Sequence, residues 1–524
     1  MSLLRRLIFG RKGKKNNNDD NNNYDDNRIP ISKNIDKNLD ILKEEFKDCD
    51  DIVYKEFLVG TDQSSRLAIA YVDGLIDKAL ITQNITKALM QEARGREPEN
   101  IKKGLYKLIK EGNLSASEME EVDFLTECID AMLSGDTVLL IDGYKKAIIV
   151  GSRGWHMRGI DEPESEALVR GPRDGFNETL KISISSVRRR IKDTKLKVKY
   201  MKVGRRSKTD IALLYIEDII DKEVLEEVRS RIEKIDIDAV LDSAYIEEFI
   251  EDSNYSLFPQ LESTERPDAV AAAIYEGRVG ILVDNTPFAL IAPAVFTTFF
   301  ESSEDYYERW PLAALMRIIR YAAAFISILT PALYIAITSF HPGILPSDLA
   351  LYIAATRLNV PFPSFIEAFM MQFTIEFLRE SGTRISGPIG TTIGVVGGLV
   401  IGQAAVEAGI VSPLMVIIVA ITTIASFALP NYTFSIATRI LTFAFMVLAA
   451  SFGFYGIMIG LIVMGTHLCN LSSFGIPYTS PISVLGKFND DLKDTFIRVP
   501  LPRMRYRPHY GKLKDEDLQP PSDE

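Results

Sequence analysis

Between Arg384 and Lys487 the chain carries only two formally charged side chains, Glu407 and Arg439. A water-soluble domain does not make so long a stretch this poor in charge, because its surface helices need a polar face. A bilayer demands it, since a central Asp, Lys or Arg costs about 2.5–3.5 kcal/mol on insertion scales. Other shortages narrow the function. Three cysteines (Cys49, Cys128, Cys469) and four histidines are scattered without paired spacing. That excludes a disulfide framework and argues against a metal site. The chain has no GxxxxGK[ST] phosphate loop, GxSxG elbow or HExxH helix. The sequence therefore predicts no enzyme, no cofactor and no nucleotide-driven work. A net charge of −11 speaks against nucleic acid as a partner.

What is present divides in two. The basic start MSLLRRLIFGRKGKK lacks the apolar run of about 7–15 residues that a secretory signal needs, so the N-terminal half is expected in the cytoplasm. Residues 1–29, basic and then Asn/Asp-rich, read as a disordered tether. A cytoplasmic α/β (α+β) domain of two subdomains is expected next, over 30–155 and 156–265. Candidate strands are Leu67–Val72, Thr137–Ile141, Ala147–Val150, Ile211–Tyr215 and Gly280–Val283. Helical periodicity marks Leu80–Arg94, Met119–Met132, Glu178–Ile191 and Lys222–Ile235. Asp73-Gly74 and Asp142-Gly143 are strand-ending turns, the second inside a predicted hairpin. Between the subdomains, Glu162, Glu164, Glu166, Arg170 and Arg173 form a candidate contact loop; a salt-bridged connector is the plainer reading. Arg188, Arg189 and Arg190 read as a solvated helix face.

Residues 266–317 are expected to be a connector into an all-α polytopic membrane domain over 318–470, followed by a basic cytoplasmic tail over 471–524. The spans expected are 318–338, 391–408, 413–429 and 440–467. An amphipathic helix over 364–378, carrying Glu367 and Glu376, is placed at the membrane interface. Arg309, Arg317 and Arg320 mark the start of the first span as cytoplasmic, and four spans return the tail to the same side. In the second span Gly390, Gly394, Gly398 and Gly402 form a small-residue ridge suited to close helix packing. Val396, Val400, Gln403 and Glu407 fall on nearly the opposite face. An intramembrane acid is a pathway candidate by default, although Glu407 near a helix end could equally serve structure.

The segments GRVGILVDNTPFALIAPAVFTTFFESSEDYYERW, HPGILPSDLA, VPFPSFIEAFMMQFTIEFLRE, IGQAAVEAGIVSP and HLCNLSSFGIPYTSP resemble, in order and spacing, the A subunits of GerA-type spore germinant receptors. In the first half VDGLID, LSGDTVLLIDG, EPESEALVRGPRDGFNETL and ERPDAVAAAIYEGRVG are similar to the same family. Asn285 and Asn359 stand where that family tends to have Gly. The resemblance implies a protein of the spore inner membrane acting with a permease-like B subunit and a lipoprotein C subunit. It further implies a homo-oligomeric ring, suspected to be a pentamer, that conducts monovalent cations across the lipid when nutrient is sensed. A secondary transporter and a sporulation relative without a dedicated nutrient are the alternatives.

Overall fold

The computed structural model describes residues 28–59, 65–81, 119–154, 162–163, 166–384, 398, 400–482, 494–508 and 510–519. The chain separates into two compact units. The first, built from residues up to Glu44, 54–71 and 78–152, centres on a five-stranded sheet. Its strands are β1 (Ile52–Val59), β2 (Ser65–Val72), β3 (Met119–Val122), β4 (Thr137–Ile141) and β5 (Ala147–Val150), in the order β1-β2-β4-β5-β3. Helices α1 (Ile35–Glu45) and α2 (Leu125–Leu133) belong to it. β4 is buried along its whole length, as its run TVLLI predicts. The expected hairpin forms, with Leu140 opposite Ala147 and Gly143 at φ +88° in the turn.

The helix expected over 119–132 is a correction. Met119–Val122 instead pairs with β5, Met119 opposite Val150, and α2 begins only after Phe124, whose backbone is extended. Pairing at an open sheet edge overrides local helical periodicity here. The helix expected over 80–94 lies almost wholly outside the described residues.

In the second unit a sheet of five strands comes first. These are β6 (Leu196–Val203), β7 (Thr209–Ile216), β8 (Glu262–Thr264), β9 (Val279–Val283) and β10 (Ala289–Ala292), in the order β6-β7-β9-β10-β8. One face is covered by α3 (Leu180–Arg188) and α6 (Pro267–Tyr275), through Ile184, Val187, Val270 and Ile274. The other face is covered by α4 (Lys222–Glu233) and α5 (Ser243–Ile250), through Val224, Val228, Ile232 and Ile246. Gly280 sits where a Cβ would lie 2.9 Å from Val270 Cγ1, so α6 can close on β9. The subdomain therefore does not end at 265: α6, β9 and β10 all come from the stretch read as connector. Asn285 has φ +70°, a backbone region that glycine adopts most readily. Arg188 is not on a solvated face either; it is buried against Asp51 at 2.7 Å.

The helical part follows: α7 (Glu304–Tyr307), α8 (Trp310–Ser339), α9 (Ser347–Thr356), α10 (Ser364–Arg384), helical residues 400–407, α11 (Pro413–Phe427), α12 (Tyr432–Phe452) and α13 (Phe454–Asn470). α8 and α12 are long and apolar enough to cross a membrane, and α11 and α13 are shorter apolar helices. α8 runs unbroken through Pro331.

One expectation for this region changes and another is settled. α10 is 21 residues long and belongs to the bundle, with Ala368 and Met371 buried in its core, rather than lying at the interface over 364–378. Its start meets the end of α8, where Ser339 and Ser364 hydroxyls are 2.7 Å apart, and it runs back antiparallel to α8. The last run, expected to span over 440–467 with a tilt or a kink near Gly453–Gly456 and as either one helix or two, is two helices broken at Gly453. There φ is +59°, and a Cβ would lie 3.0 Å from Phe340 Cγ. The end of the last helix returns to the start of α8, where Leu468 shares a cluster with Phe300 and Ala324. That end is tied to the second sheet's subdomain by an aromatic cluster in which Phe299 stacks on Phe434 at 5.7 Å.

The expected basic tail is partly a folded component. Residues 494–519 bury Met504, Tyr510 and Leu513, and Leu513 fills the space beside Gly277.

Candidate functional site in the helical bundle

Of the two charges left in the apolar half, one is ion-paired and the other is not, among the described residues. Arg439, in the second turn of α12, donates to Glu376 of α10 at 2.9 Å. Arg379 lies 3.7 Å from the same carboxylate and sits over the Phe427 ring at 4.8 Å. Arg439 thus helps hold α10 in the bundle. Glu367, one end of α10, is fully buried. It accepts from Arg357 at 2.8 Å and from the Ser412 backbone N–H and hydroxyl at 3.1 and 3.0 Å. Charges on α10 that suggested an interface helix are therefore ion-paired within the bundle, although Glu376 Oε1, Arg379 Nε and Arg439 Nε make no hydrogen bond among the described residues.

Glu407 differs. Its partner is Gln403 one turn earlier, whose Nε2 donates to Glu407 Oε1 at 2.8 Å. Both side chains are exposed, as is Val400. On the other side of the same helix Gly402 is buried, and a Cβ there would lie 3.7 Å from Val416 Cγ1 of α11. At Gly398 no described atom lies within 4 Å of such a Cβ. Gly390, Gly394 and Val396 lie outside the described residues. Among the described residues the helix turns Gly402 toward α11 and leaves Gln403 and Glu407 uncovered. A carboxylate and amide on an uncovered face can line a water-filled path or meet another subunit.

At the foot of the bundle, sequence reasoning missed a network. Arg317 and Arg320, three residues apart on α8, do not mark a free interface. They are buried against Asp305 of α7, Arg320 Nη1 approaching Asp305 Oδ2 to 2.7 Å. Arg317 also bonds Asp494 Oδ1 at 2.8 Å and the Asp494 carbonyl. Tyr306 donates to Asp494 Oδ2 at 2.7 Å. The only sequence signal was the i, i+3 arginine spacing.

The candidate contact loop is held to the second sheet's edge. Glu166 accepts from Thr264 at 2.7 Å, and Arg266 donates to the Pro172 carbonyl at 3.0 Å. Burial pushes the Glu166 carboxyl up to about 7. Arg173 makes an exposed pair with Glu162 at 3.2 Å, Arg170 is exposed, and Glu164 lies outside the described residues.

A family model described as the Bacillus/Clostridium GerA spore germination protein matches residues 40–510. Spore germination protein GerLA of Bacillus cereus is 42% identical over 492 residues, covering 94% of this chain and 98% of its own. Spore germination protein KA of Bacillus subtilis is 42% identical over 491 residues, covering 94% and 89%. A Bacillus subtilis protein named only as the uncharacterized membrane protein YfkQ is 41% identical, covering 92% of each chain. Among solved structures, the N-terminal domain of the A subunit of the Bacillus megaterium germinant receptor GerK3 aligns at 33% identity. It covers 52% of this chain and 99% of that one, with a TM-score of 0.41. With two α/β sheets followed by an all-α membrane domain, and the family model spanning nearly its whole length, the chain belongs to the GerA spore germination protein family.

Proposed function

We propose that the chain is the A subunit of a nutrient germinant receptor in the spore inner membrane, and that copies of it ring a nutrient-gated path for monovalent cations. A permease-like B subunit and a lipoprotein C subunit complete the receptor. The family and the names of the similar proteins support the receptor reading. The observation that carries the channel reading is the uncovered Gln403–Glu407 edge, backed by a helix whose Gly402 edge is packed. In a ring, five such edges would face one axis and attract cations as acidic rings do. The α/β domain and the docked tail lie on the spore-core side, and ions move down their gradients without catalysis by this chain.

The second reading is a membrane protein of the same family with no dedicated nutrient. It is favoured by the similarity to a protein named only for its membrane location. Reconstituting the chain in liposomes with and without the two partner subunits separates the two. Cation flux that depends on both nutrient and partners supports the receptor; flux indifferent to either sinks it. Coupled, saturable uptake of a solute against its gradient would identify a secondary transporter instead.

A further inference from the structure

We infer that the basic cluster where α10, α11 and α12 meet, Arg379 and Arg439 around Glu376, binds the phosphate of an anionic phospholipid. Arg439 Nη1 donates to Glu376 Oε2 at 2.9 Å. Arg379 Nη1 lies 3.7 Å from Glu376 Oε1, and its Nη2 donates to the Ser426 hydroxyl at 3.3 Å. Two guanidinium groups thus share one carboxylate and leave one positive charge over. Glu380 and Arg384, the next charges along α10, cancel each other.

The hydrogen bonding is as incomplete as the charge. A guanidinium offers about five N–H donors, and each of these two makes a single hydrogen bond among the described residues. Both Nε atoms are buried without a partner, and so is Glu376 Oε1. One turn earlier on α10, Gln372 is 3% exposed and its Oε1 is also unpartnered. Buried polar atoms normally find partners, and donors and charge left unmet are costly. The cluster therefore calls for a group that the chain itself does not supply.

Its setting identifies that group. α10 and α11 run parallel, since Glu367 meets Ser412 near their starts and Arg379 meets Ser426 near their ends. Those ends, and the start of α12, lie at the foot of the bundle, where Phe434 packs on Phe299. Arg439 follows Tyr432, the first residue of α12, by about 10 Å of rise. From that depth an arginine reaches back toward headgroup level along its aliphatic stem. Each arginine side chain is 15% exposed. Arg379 opens beside Phe427, whose ring it covers at 4.8 Å. Phe427, Ile424 and Ile421 of α11 and Phe377 of α10 are exposed, so the charge borders an apolar strip.

A phospholipid brings phosphate and acyl chain together and matches both; a free oxyanion matches only the charge. Guanidinium forks suit phosphate oxygens, and basic sites between membrane helices take anionic headgroups. A headgroup hydroxyl can also donate to Glu376 Oε1.

The test is a thermal melt of the purified full-length chain in nanodiscs of phosphatidylcholine with rising fractions of phosphatidylglycerol, at constant ionic strength. The melting temperature should rise saturably with phosphatidylglycerol. Inorganic phosphate added to pure phosphatidylcholine discs should give no such rise. Arg379→Gln should remove most of the rise, measured against the same variant in pure phosphatidylcholine. Arg309→Gln, at an exposed arginine away from the cluster, should keep it. Arg379→Lys retains the charge without the fork and should need a several-fold larger phosphatidylglycerol fraction for half the rise. It decides the matter should Arg379→Gln fail to fold. No rise in the parent chain would assign the spare charge to a partner protein and overturn the site. So would an equal rise with inorganic phosphate, or an undiminished response in both Arg379 variants.

Discussion

The backbone N–H of Lys512 donates to Asp221 Oδ2 at 2.7 Å across 291 positions of sequence. The other oxygen of that carboxylate accepts from the Glu223 N–H at 2.9 Å, capping α4. One side chain starts a helix and fastens the far end of the chain. Gly511 permits it, since its φ is +119° and a Cβ would lie 2.6 Å from Asp221 Oδ2. Asp221→Ala should cost about 1–2 kcal/mol through the lost cap and release residues 494–519. Limited proteolysis of the intact protein checks this: the variant should be trimmed after Arg498 or Arg503 much faster than the parent. Equal trimming would mean that Tyr510 and Leu513 hold the tail without Asp221.

Fragment boundaries follow from the second sheet. A piece ending at Leu261 lacks β8, β9 and β10, leaving β6 and β7 as an unsupported hairpin. It should aggregate, whereas a piece continuing just past Ala292 should be soluble and melt cooperatively. Circular dichroism and size-exclusion chromatography distinguish them, and a well-behaved shorter fragment would refute the topology.

Arg439→Gln strands Glu376 in the bundle with Arg379 alone at 3.7 Å. The pair is partly exposed, so the loss should fall below the ~3–5 kcal/mol of a fully buried pair. The variant should express poorly and unfold at lower detergent or temperature. Adding Glu376→Gln should recover part of the loss, because the orphaned charge disappears. No recovery in the double variant would show that the pair is not coupled.

Glu407→Gln should behave oppositely. Its partner is an exposed amide, so stability should change by no more than about 0.5 kcal/mol. Cation conductance of the assembled complex should fall, or its preference for cations over anions weaken. Unaltered conductance and selectivity in a correctly assembled receptor would remove Glu407 from the ion path.

Glu247 gives a pH signature for the α/β domain. Burial, with Glu251 and Asp242 nearby, pushes its carboxyl up to about 7. The folded form then holds a proton that the unfolded form has lost above about pH 4.5. Its contribution is complete below that value and disappears as pH rises through 7. Between those limits the domain should lose on the order of 1–3 kcal/mol. Glu247→Gln should flatten that slope in urea melts run at several pH values; a parallel slope would assign the effect to other acids.

Much of this architecture could be read from residues alone. Thr137–Ile141 and Ala147–Val150 announce themselves as β-rich runs around an Asp-Gly turn, and the structure places β4 and β5 on those bounds. The charge-poor half was equally plain. What local pattern could not supply was pairing at a distance. Glu367 finds Ser412 45 positions on and Glu376 finds Arg439 63 positions on, so α10 looked too polar to be a bundle helix. β8 and β10 escaped for a related reason. They are short segments whose register is set by a neighbour, β9 for β10 and β10 for β8, not by a periodicity of their own.

The Glu376–Arg439 bond also sets an order of biosynthesis. Glu376 leaves the ribosome 63 residues before the arginine that neutralises it. Glu367 already has Arg357 ten positions before it and only completes its hydrogen bonds with Ser412. Until Arg439 arrives, Glu376 has only Arg379 of its own helix, at 3.7 Å, a loose match for a charge in hydrocarbon. A chain truncated before Tyr432 lacks Arg439 and should therefore hold α10 in the bilayer less firmly than the full chain does.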